Sequence, residues 1–218
     1  MLMRLMKDLA YRTPAARYLA PRYHYNFRPS QLAYMVATLD EIRDVPGSVV
    51  EAGCFAGATT IFLSEHLRDS GQRRYVAIDT FHGFTPSDVA HEITARGKSA
   101  DQVTLSSGFR LNQRRWVERS LEIAGHGDVQ VIQGDVGALD YRAFAPIAFA
   151  LIDVDLYQPV AKALARIAPL MSPGGRIIVD DCRPGQVYDG AFEAYEEWCN
   201  ANGKQPEVVH SKLGVLRF

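Results

Sequence analysis

The feature that most constrains the fold is a regular alternation of strand-like and helix-like segments that begins at Ser48. Short apolar runs rich in β-branched residues favour buried strands, and the longer segments between them carry helical periodicity. Such alternation is typical of a parallel sheet covered by helices. Strands are predicted over 49–52, 75–78, 129–132, 148–152 and 176–179, and two closing strands over 207–210 and 214–218.

Helices are predicted between and after these strands, over 59–70, 109–124, 159–168 and 191–202. Pro159 suits the first turn of its helix, where a missing N–H costs nothing, and Gly203 suits a left-handed cap. An earlier helix is predicted, with Ser30 as its N-cap. Its apolar face is formed by Leu32, Met35, Val36, Leu39 and Ile42. The long polar segment 81–108 breaks the pattern and is predicted to be a functional loop.

Composition narrows the classes of protein that fit the sequence. With 24 basic and 25 acidic residues scattered along 218, the chain lacks the basic patch of a nucleic-acid binder. Three cysteines without a close pair argue against disulfides and zinc and favour a cytoplasmic protein. No apolar run reaches the length of a membrane span. The N-terminal segment, which mixes Leu and Met with Arg and Lys, is expected to pack on its own core or on a second subunit, which would make a homodimer.

A glycine-bearing turn follows the first predicted strand and contains Gly53 and Gly57. Glycines let the backbone approach a ligand closely, although a tight turn alone can also require them. The third glycine of the dinucleotide fingerprint is missing, which disfavours a pyrophosphate. Glu51 would likewise repel a phosphate and attract a cationic ligand.

Two further aspartates are placed to contact a nucleoside. Asp79 ends the second strand about twenty residues after the turn, where a carboxylate accepts hydrogen bonds from both ribose hydroxyls. Asp135 follows the 129–132 strand and would lie beside an adenine, although a polar turn explains it equally well. An NAD-dependent oxidoreductase or epimerase is a rival interpretation, which the missing glycine and the absence of a Tyr-x-x-x-Lys pair disfavour.

Three carboxylates form the strongest constellation in the sequence. Asp153 ends one predicted strand, and Asp180 and Asp181 end the next. If those strands are neighbours, their ends lie about 5 Å apart, and the like charges require a cation. An all-oxygen ligand set favours Mg²⁺, Mn²⁺ or Ca²⁺ over zinc. Asp155 can contact the substrate, bind the metal or hold the loop. His82 is a competing general base.

Four segments together resemble the macrocin O-methyltransferase family, the metal-dependent sugar methyltransferases of macrolide and aminocoumarin biosynthesis. They are VVEAGCFAGATT, VAIDTFHGF, ALIDVDLYQPV and SPGGRIIVDD, which occur in order between about Pro46 and Asp181. The resemblance implies a Rossmann-like class I methyltransferase fold, in which helices flank a seven-stranded, mostly parallel sheet with one antiparallel strand. The chain as a whole is predicted to be a single domain, with a helical arm and cap over 1–45 and a methyltransferase domain over 46–218.

By position, the resemblance also assigns a cofactor, a metal and a base. It implies S-adenosyl-L-methionine, with contacts at Glu51, Gly53, Gly57, Thr59, Asp79 and Asp135. It implies Mg²⁺ or Mn²⁺ at Asp153, Asp180 and Asp181, with Asp153 also acting as general base. The expected reaction is O-methylation of a small molecule, namely a sugar or a glycosylated natural product. A catechol-type phenolic acceptor and a non-catalytic protein that binds S-adenosylmethionine are the alternatives.

Overall fold

The computed structural model describes residues 6, 9–14, 23–70, 73–104, 107–110 and 112–218. In this part of the chain seven strands form one sheet, in the spatial order β3-β2-β1-β4-β5-β7-β6. Neighbouring strands are parallel except at β7, which runs antiparallel to β5 and β6. The strands are β1 Ser48–Ala52, β2 Tyr75–Asp79, β3 Gln130–Gln133, β4 Ile147–Ile152, β5 Met171–Val179, β6 Val208–Val209 and β7 Leu213–Arg217. The predicted fold class is confirmed.

Helices connect the strands and cover both faces of the sheet. The α-helices among the described residues are α1 Pro29–Glu41, α2 Ala58–Ser70, α3 Pro86–Thr94, α4 Ala100–Thr104, α5 Arg114–Ala124, α6 Tyr157–Ile167 and α7 Gly190–Ala201. Short 3₁₀ turns span Ser107–Arg110, Tyr141–Phe144 and Ala168–Leu170. Pro159 lies in the first turn of α6, and Gly203 follows α7 with φ of +64°, both as the sequence predicts.

The central strands are apolar because both of their faces are buried. Every residue of β1 and β4 is buried, and alternate side chains of β4 point to opposite sides of the sheet. Phe149 and Leu151 pack in one core cluster, and Ala150 and Ile152 pack in the other. Each large apolar side chain removed from water contributes about 1.5–3 kcal/mol, and the sheet is therefore the rigid platform of the molecule.

The N-terminal cap of α1 differs from the prediction. The helix begins at Pro29, not after Ser30, and Arg28 is its N-cap residue. Proline is favoured at this first position because its ring fixes a helical φ. Gln31 accepts a hydrogen bond from the Arg28 backbone N–H at 2.8 Å, so the cap does not need a serine hydroxyl. The predicted apolar face is confirmed, with Leu32, Met35, Leu39 and Ile42 buried.

The prediction of a long loop over 81–108 is wrong, because its described residues contain α3, α4 and the start of a 3₁₀ turn. Pro86 begins α3, and the Thr85 hydroxyl caps it by accepting a hydrogen bond from the Asp88 backbone N–H at 3.2 Å. The helix predicted over 109–124 begins later, at Arg114. We name residues 82–112, within which 105, 106 and 111 lie outside the described part, the lid segment.

The predicted helical arm falls partly outside the described residues, namely at 1–5, 7–8 and 15–22. Of the described positions in this region, residues 9–11 are helical. Within the described residues, no helix has the length and apolar character needed to cross a membrane.

Candidate active site

A cavity of about 190 Å³ opens at the carboxyl ends of the parallel strands. Strand ends, the turn after β1 and the lid segment all contribute to its lining. This edge of an open α/β sheet is where ligands bind, because the strand order reverses there and the connecting loops separate. In the present sheet β1 lies between β2 and β4, which makes it the reversal point.

Asp79 lines one end of the cavity and is held by two backbone donors. The N–H of Phe55 donates to one carboxylate oxygen at 2.8 Å, and the N–H of Phe81 donates to the other at 2.7 Å. Both of these phenylalanines have positive φ, a strained conformation that is concentrated at functional sites. Burial raises the pKa of Asp79, and the two backbone hydrogen bonds offset only part of this increase. Each oxygen keeps a lone pair for a further donor such as a ribose hydroxyl.

Gly53 and Asp135 also line the cavity, as the sequence predicts. Gly53 has φ of +93°, and a Cβ placed there would lie 1.8 Å from the backbone oxygen of Asp153. Glycine is therefore required by the close approach of the two strand ends. Asp135 accepts a hydrogen bond from the Gly137 N–H at 2.7 Å, which fixes its side chain at the tip of β3.

Three other predicted cofactor residues, Glu51, Gly57 and Thr59, do not line the cavity. Glu51 lies beneath the turn and accepts hydrogen bonds from the Thr60 hydroxyl at 2.6 Å and the Tyr75 hydroxyl at 2.9 Å. Burial raises the pKa of Glu51 to about 7, against the lowering effect of these two donors. Its carboxyl group thus ties together β1, β2 and α2.

His82, the competing general base, is exposed and does not line the cavity. Its Nε2 lies 3.0 Å from the Gln133 side-chain nitrogen, so the two groups share a hydrogen bond at the surface. This exposed position favours a role for His82 in ordering its loop over a role in catalysis.

Four carboxylates occupy the other end of the cavity: Asp153, Asp155, Asp180 and Asp181. Asp153 and Asp180 follow β4 and β5 directly, so the predicted convergence at adjacent strand ends is observed. Lys212, the residue just before β7, places its Nζ 2.6 Å from Asp180 Oδ2 and 3.2 Å from Asp181 Oδ1.

The electrostatics of this cluster favour a cation. Burial, and after it the charge of Asp180, raises the pKa of Asp153 well above its usual range, while burial followed by Asp181 does the same for Asp155. Burial raises the pKa of Asp180 to about 6 despite the opposing effect of Lys212. Burial lowers the pKa of Lys212, but the attraction of Asp180 and Asp181 outweighs it and leaves that pKa raised.

The same cluster can be tested for its fit to a divalent metal. Its donors are all carboxylate oxygens, which suit Mg²⁺ or Mn²⁺, and Asp180 Oδ1 is buried without a hydrogen-bond partner. Against this, no three carboxylate, imidazole or thiolate groups of the described residues are arranged around one point as ligands. The Lys212 ammonium lies between Asp180 and Asp181 instead. The donor chemistry therefore fits a metal, on the condition that this ammonium moves aside.

Four aromatic rings extend from the glycine turn towards α7, and we call them the aromatic row. Phe55 contacts Phe109 with ring centroids 5.2 Å apart, Phe109 contacts Phe84 at 5.6 Å, and Phe84 contacts Tyr188 at 6.0 Å. The first three rings line the cavity. Because Phe84 and Phe109 belong to the lid segment, the row joins that segment to the strand ends.

Ion pairs fix the described part of the lid segment beside the cavity. Arg96 is nearly buried and pairs with Glu92 at 2.9 Å and with Asp189 at 2.7 Å, while Lys98 pairs with the same aspartate at 2.7 Å. Glu92 also accepts a hydrogen bond from the Tyr157 N–H at 2.8 Å, at the start of α6. The lid segment is thereby fixed to α6 and to the start of α7.

Sequence reasoning missed Lys212 and the aromatic row. One signal for Lys212 was present, because it precedes the last predicted strand, and an antiparallel strand beside β5 begins where β5 ends. The aromatic row carried no such signal, since Phe55, Phe84, Phe109 and Tyr188 are distant in sequence and meet only through the fold.

Comparison with known proteins identifies the class. Residues 50–182 match the model of a family described as a methyltransferase domain, and the chain belongs to this family. It is 31% identical over 163 residues to the 8-demethyl-8-(2,3-dimethoxy-alpha-L-rhamnosyl)-tetracenomycin-C 4'-O-methyltransferase of Streptomyces olivaceus, a match covering 71% of this chain and 59% of that protein. It is 28% identical over 177 residues to the mycinamicin III 3''-O-methyltransferase of Micromonospora griseorubida, covering 77% and 66%.

The chain therefore spans 59% and 66% of the length of these two relatives. Among solved structures, the O-methyltransferase NovP superposes with a TM-score of 0.75 at 19% identity, over 90% of this chain and 82% of that one. CalS11, a calicheamicin methyltransferase also described as a TDP-rhamnose 3'-O-methyltransferase, superposes with a TM-score of 0.73 at 19% identity, over 99% and 90%. At these identities the structures support the fold. The two relatives confirm the resemblance to sugar O-methyltransferases of natural-product pathways.

Proposed function

We propose that the protein is an S-adenosylmethionine-dependent O-methyltransferase that acts on a hydroxyl of a sugar or glycosylated natural product and uses a divalent metal. The observation that carries this proposal is a single cavity with Asp79 at one end and the carboxylates Asp153, Asp180 and Asp181 at the other. The first end suits the ribose of the cofactor, and the second suits the acceptor.

In this proposal Asp79 accepts hydrogen bonds from the ribose hydroxyls of the cofactor, and Asp135 lies near its adenine. Glu51 in β1, Gly57 in the turn and Thr59 at the start of α2 flank the proposed cofactor site. Glu51 supports the turn from below through its hydrogen bonds from Thr60 and Tyr75. The carboxylates beside the cavity also complement the positive sulfonium of the cofactor. The methyl group on that sulfonium is already activated, so its alignment with the acceptor oxygen is the main requirement. In ideal cases such alignment lowers the activation barrier by on the order of 7–11 kcal/mol.

At the other end, Asp153 takes the proton of the acceptor hydroxyl. When bound, S-adenosylmethionine would supply the methyl group to that oxygen and would leave as S-adenosylhomocysteine, with the electron pair of the broken carbon–sulfur bond on sulfur. Asp180, Asp181 and Asp153 would hold the divalent cation, which lowers the pKa of a nearby hydroxyl when bound. Asp155, which has a left-handed backbone at φ of +62°, adds a fourth carboxyl group beside them.

A sugar acceptor is favoured over a catechol because the site offers both a base and a cation. A phenol has a pKa near 10 and needs little activation, whereas a sugar hydroxyl is far less acidic and needs both groups. The relatives that methylate sugars of tetracenomycin and mycinamicin type support the same choice.

The test is a methyl-transfer assay with a labelled methyl donor and a panel of glycosides and catechols. We expect glycoside turnover that stops in EDTA and returns with Mg²⁺ or Mn²⁺. Asp153→Asn should abolish turnover at saturating Mg²⁺ while S-adenosylhomocysteine still binds in calorimetry. Efficient turnover of catechols with inert glycosides would refute the acceptor, and full activity in chelator would refute the metal.

Metal binding has a readout that does not need turnover. Mn²⁺ titrated into the protein should bind with measurable heat, and Asp180→Asn should weaken this binding with little effect on S-adenosylhomocysteine. Asp140→Asn is the matched control, since Asp140 is exposed and pairs with Arg142 away from the cavity. Equal Mn²⁺ affinity in the wild type and Asp180→Asn would contradict the assignment.

A further inference from the structure

Within the part of the chain that the structure describes, Lys212 is the one basic side chain that lines the cavity. Its Nζ lies 2.6 Å from Asp180 Oδ2 and 3.2 Å from Asp181 Oδ1. These two aspartates are also among the ligands proposed above for the divalent metal. An ammonium and a metal ion both seek carboxylate oxygens and repel each other, so each disfavours the other at this place.

The backbone of Lys212 is fixed beside the two aspartates. Its carbonyl accepts a hydrogen bond at 2.8 Å from the N–H of Cys182, the residue that follows Asp181. Its own N–H donates to the carbonyl of Val209 at 3.3 Å, which closes the tight turn between β6 and β7. The lysine therefore starts from a fixed point at the sheet edge.

The turn that carries Lys212 has a strained backbone. His210 and Ser211 have φ of +47° and +73°, a left-handed conformation that favours glycine or asparagine. Such strain persists where the surrounding structure imposes it. Here the buried Gln31 of α1 donates to the His210 carbonyl at 3.0 Å, and the Tyr34 ring contacts the His210 ring with centroids 5.2 Å apart. Helix α1 thus holds the turn in the form that presents the lysine to the cavity.

Lys212 pairs with the aspartates without satisfying all of their oxygens. Asp180 Oδ1 is buried and has no hydrogen-bond partner, although Oδ2 of the same carboxyl group contacts the ammonium. A buried acceptor without a donor is unfavourable, and a cation of higher charge at this place would remove that cost. The ammonium has a second favourable neighbour, because its Nζ lies 5.0 Å from the centroid of the buried Phe27 ring.

We propose, on the basis of the metal in the function proposed above, that Lys212 is the resident counter-ion of Asp180 and Asp181 and competes with the divalent cation for them. In the metal-free protein its ammonium stabilises the two aspartates at the sheet edge. When a divalent cation binds, Lys212 gives up both contacts, and this loss lowers the affinity for the metal. Lys212 is thus a positioning residue that sets how readily the metal binds and leaves.

The test measures Mn²⁺ binding by calorimetry, without methyl donor or acceptor, in variants of residue 212. Lys212→Met keeps an unbranched stem and removes the charge, and we expect Mn²⁺ to bind at least about tenfold more tightly than to the wild type. Lys212→Arg keeps the charge, and we expect an affinity no higher than that of the wild type, because a guanidinium also pairs well with carboxylates. In thermal melting, Lys212→Met should have a lower Tm than the wild type in EDTA and should gain more from Mn²⁺.

Lys162→Met is the matched control, since Lys162 pairs with Asp88 at 3.2 Å and is a positive charge of another ion pair beside the cavity. It should change the Mn²⁺ affinity by less than about threefold, because solvent screens an exposed charge.

Equal or weaker Mn²⁺ binding in Lys212→Met would overturn this inference and leave the proposed metal intact. Tighter binding in Lys212→Arg would overturn it as well, even if Lys212→Met did not fold, because the gain would then come from a disturbed turn and not from the lost charge. Absence of Mn²⁺ binding in the wild type and in every variant would refute the metal of the proposed function, and this inference with it.

Discussion

Glu51 gives the sharpest quantitative prediction, because its carboxyl group is fully enclosed and its pKa is displaced from 4.5 to about 7 by burial. A folded state that binds the proton more tightly than the unfolded state is most stable below the unfolded pKa and loses stability as pH rises through the folded pKa. The two pKa values differ by about 2.5, and at 1.36 kcal/mol for each pKa unit the loss reaches about 3 kcal/mol above pH 7.

Glu51→Gln should remove this dependence on pH. The amide oxygen can still accept the hydrogen bonds of Thr60 and Tyr75, so the local geometry is kept. Urea unfolding, followed by tryptophan fluorescence between about pH 5 and pH 8.5, gives the free energy of unfolding of both proteins. We expect the variant to gain about 2–3 kcal/mol relative to the wild type across this range, whatever constant offset the new amide introduces.

The control for this experiment is Glu122→Gln, whose side chain is exposed on α5 and should show no comparable gain. Parallel stability curves for Glu51→Gln and the wild type would refute the reasoning. They would show that Glu51 titrates alike in the folded and unfolded chains.

Two further predictions concern the cofactor and the lid segment. Asp79→Ala should weaken S-adenosylhomocysteine binding by roughly 10- to 100-fold in calorimetry, through lost charge-assisted hydrogen bonds, and unchanged affinity would exclude Asp79 from the ribose site. Arg96→Met leaves the buried Glu92 with its hydrogen bond from Tyr157 but without its cationic partner, and should cost about 3–5 kcal/mol, or a Tm lower by about 10 °C in calorimetric melting. Arg119→Met, which breaks an exposed pair with Glu122, should lower Tm by no more than about 2 °C, and equal shifts in the two variants would contradict the burial argument.

The sequence predicts the parallel part of the sheet well because each of its five strands contains β-branched or apolar residues and ends at, or is followed by, glycine or aspartate. Asp153 and Asp180 could be placed together from topology alone, since parallel neighbours end at one edge. The prediction that Ser30 caps α1 is wrong because Pro29 and Ser30 are adjacent and both are typical of helix starts. The backbone conformation shows that the helix begins at Pro29.

The lid segment was harder to predict, because its helices are short and polar and depend on tertiary ion pairs. Glu92 and Arg96 are four residues apart on and just after α3, but Asp189, which also pairs with Arg96, lies almost a hundred residues away. Lys212 is likewise brought to the carboxylates by the last strand, and the residues next to it in sequence do not predict this contact. Interactions of this kind require the three-dimensional arrangement.

The backbone hydrogen bonds of the sheet continue one residue past the strands, into the site itself. The N–H of Gly53 donates to Ile78, that of Asp153 to Ala52 and that of Asp180 to Ile152, at 2.8–2.9 Å. The backbone at Gly53, Asp153 and Asp180 is therefore fixed by the sheet before any ligand arrives. Little backbone ordering is then needed at these strand ends when a ligand binds. Substitutions at Phe84 or Phe109 would therefore change the shape of the cavity without moving the strand ends that carry the aspartates.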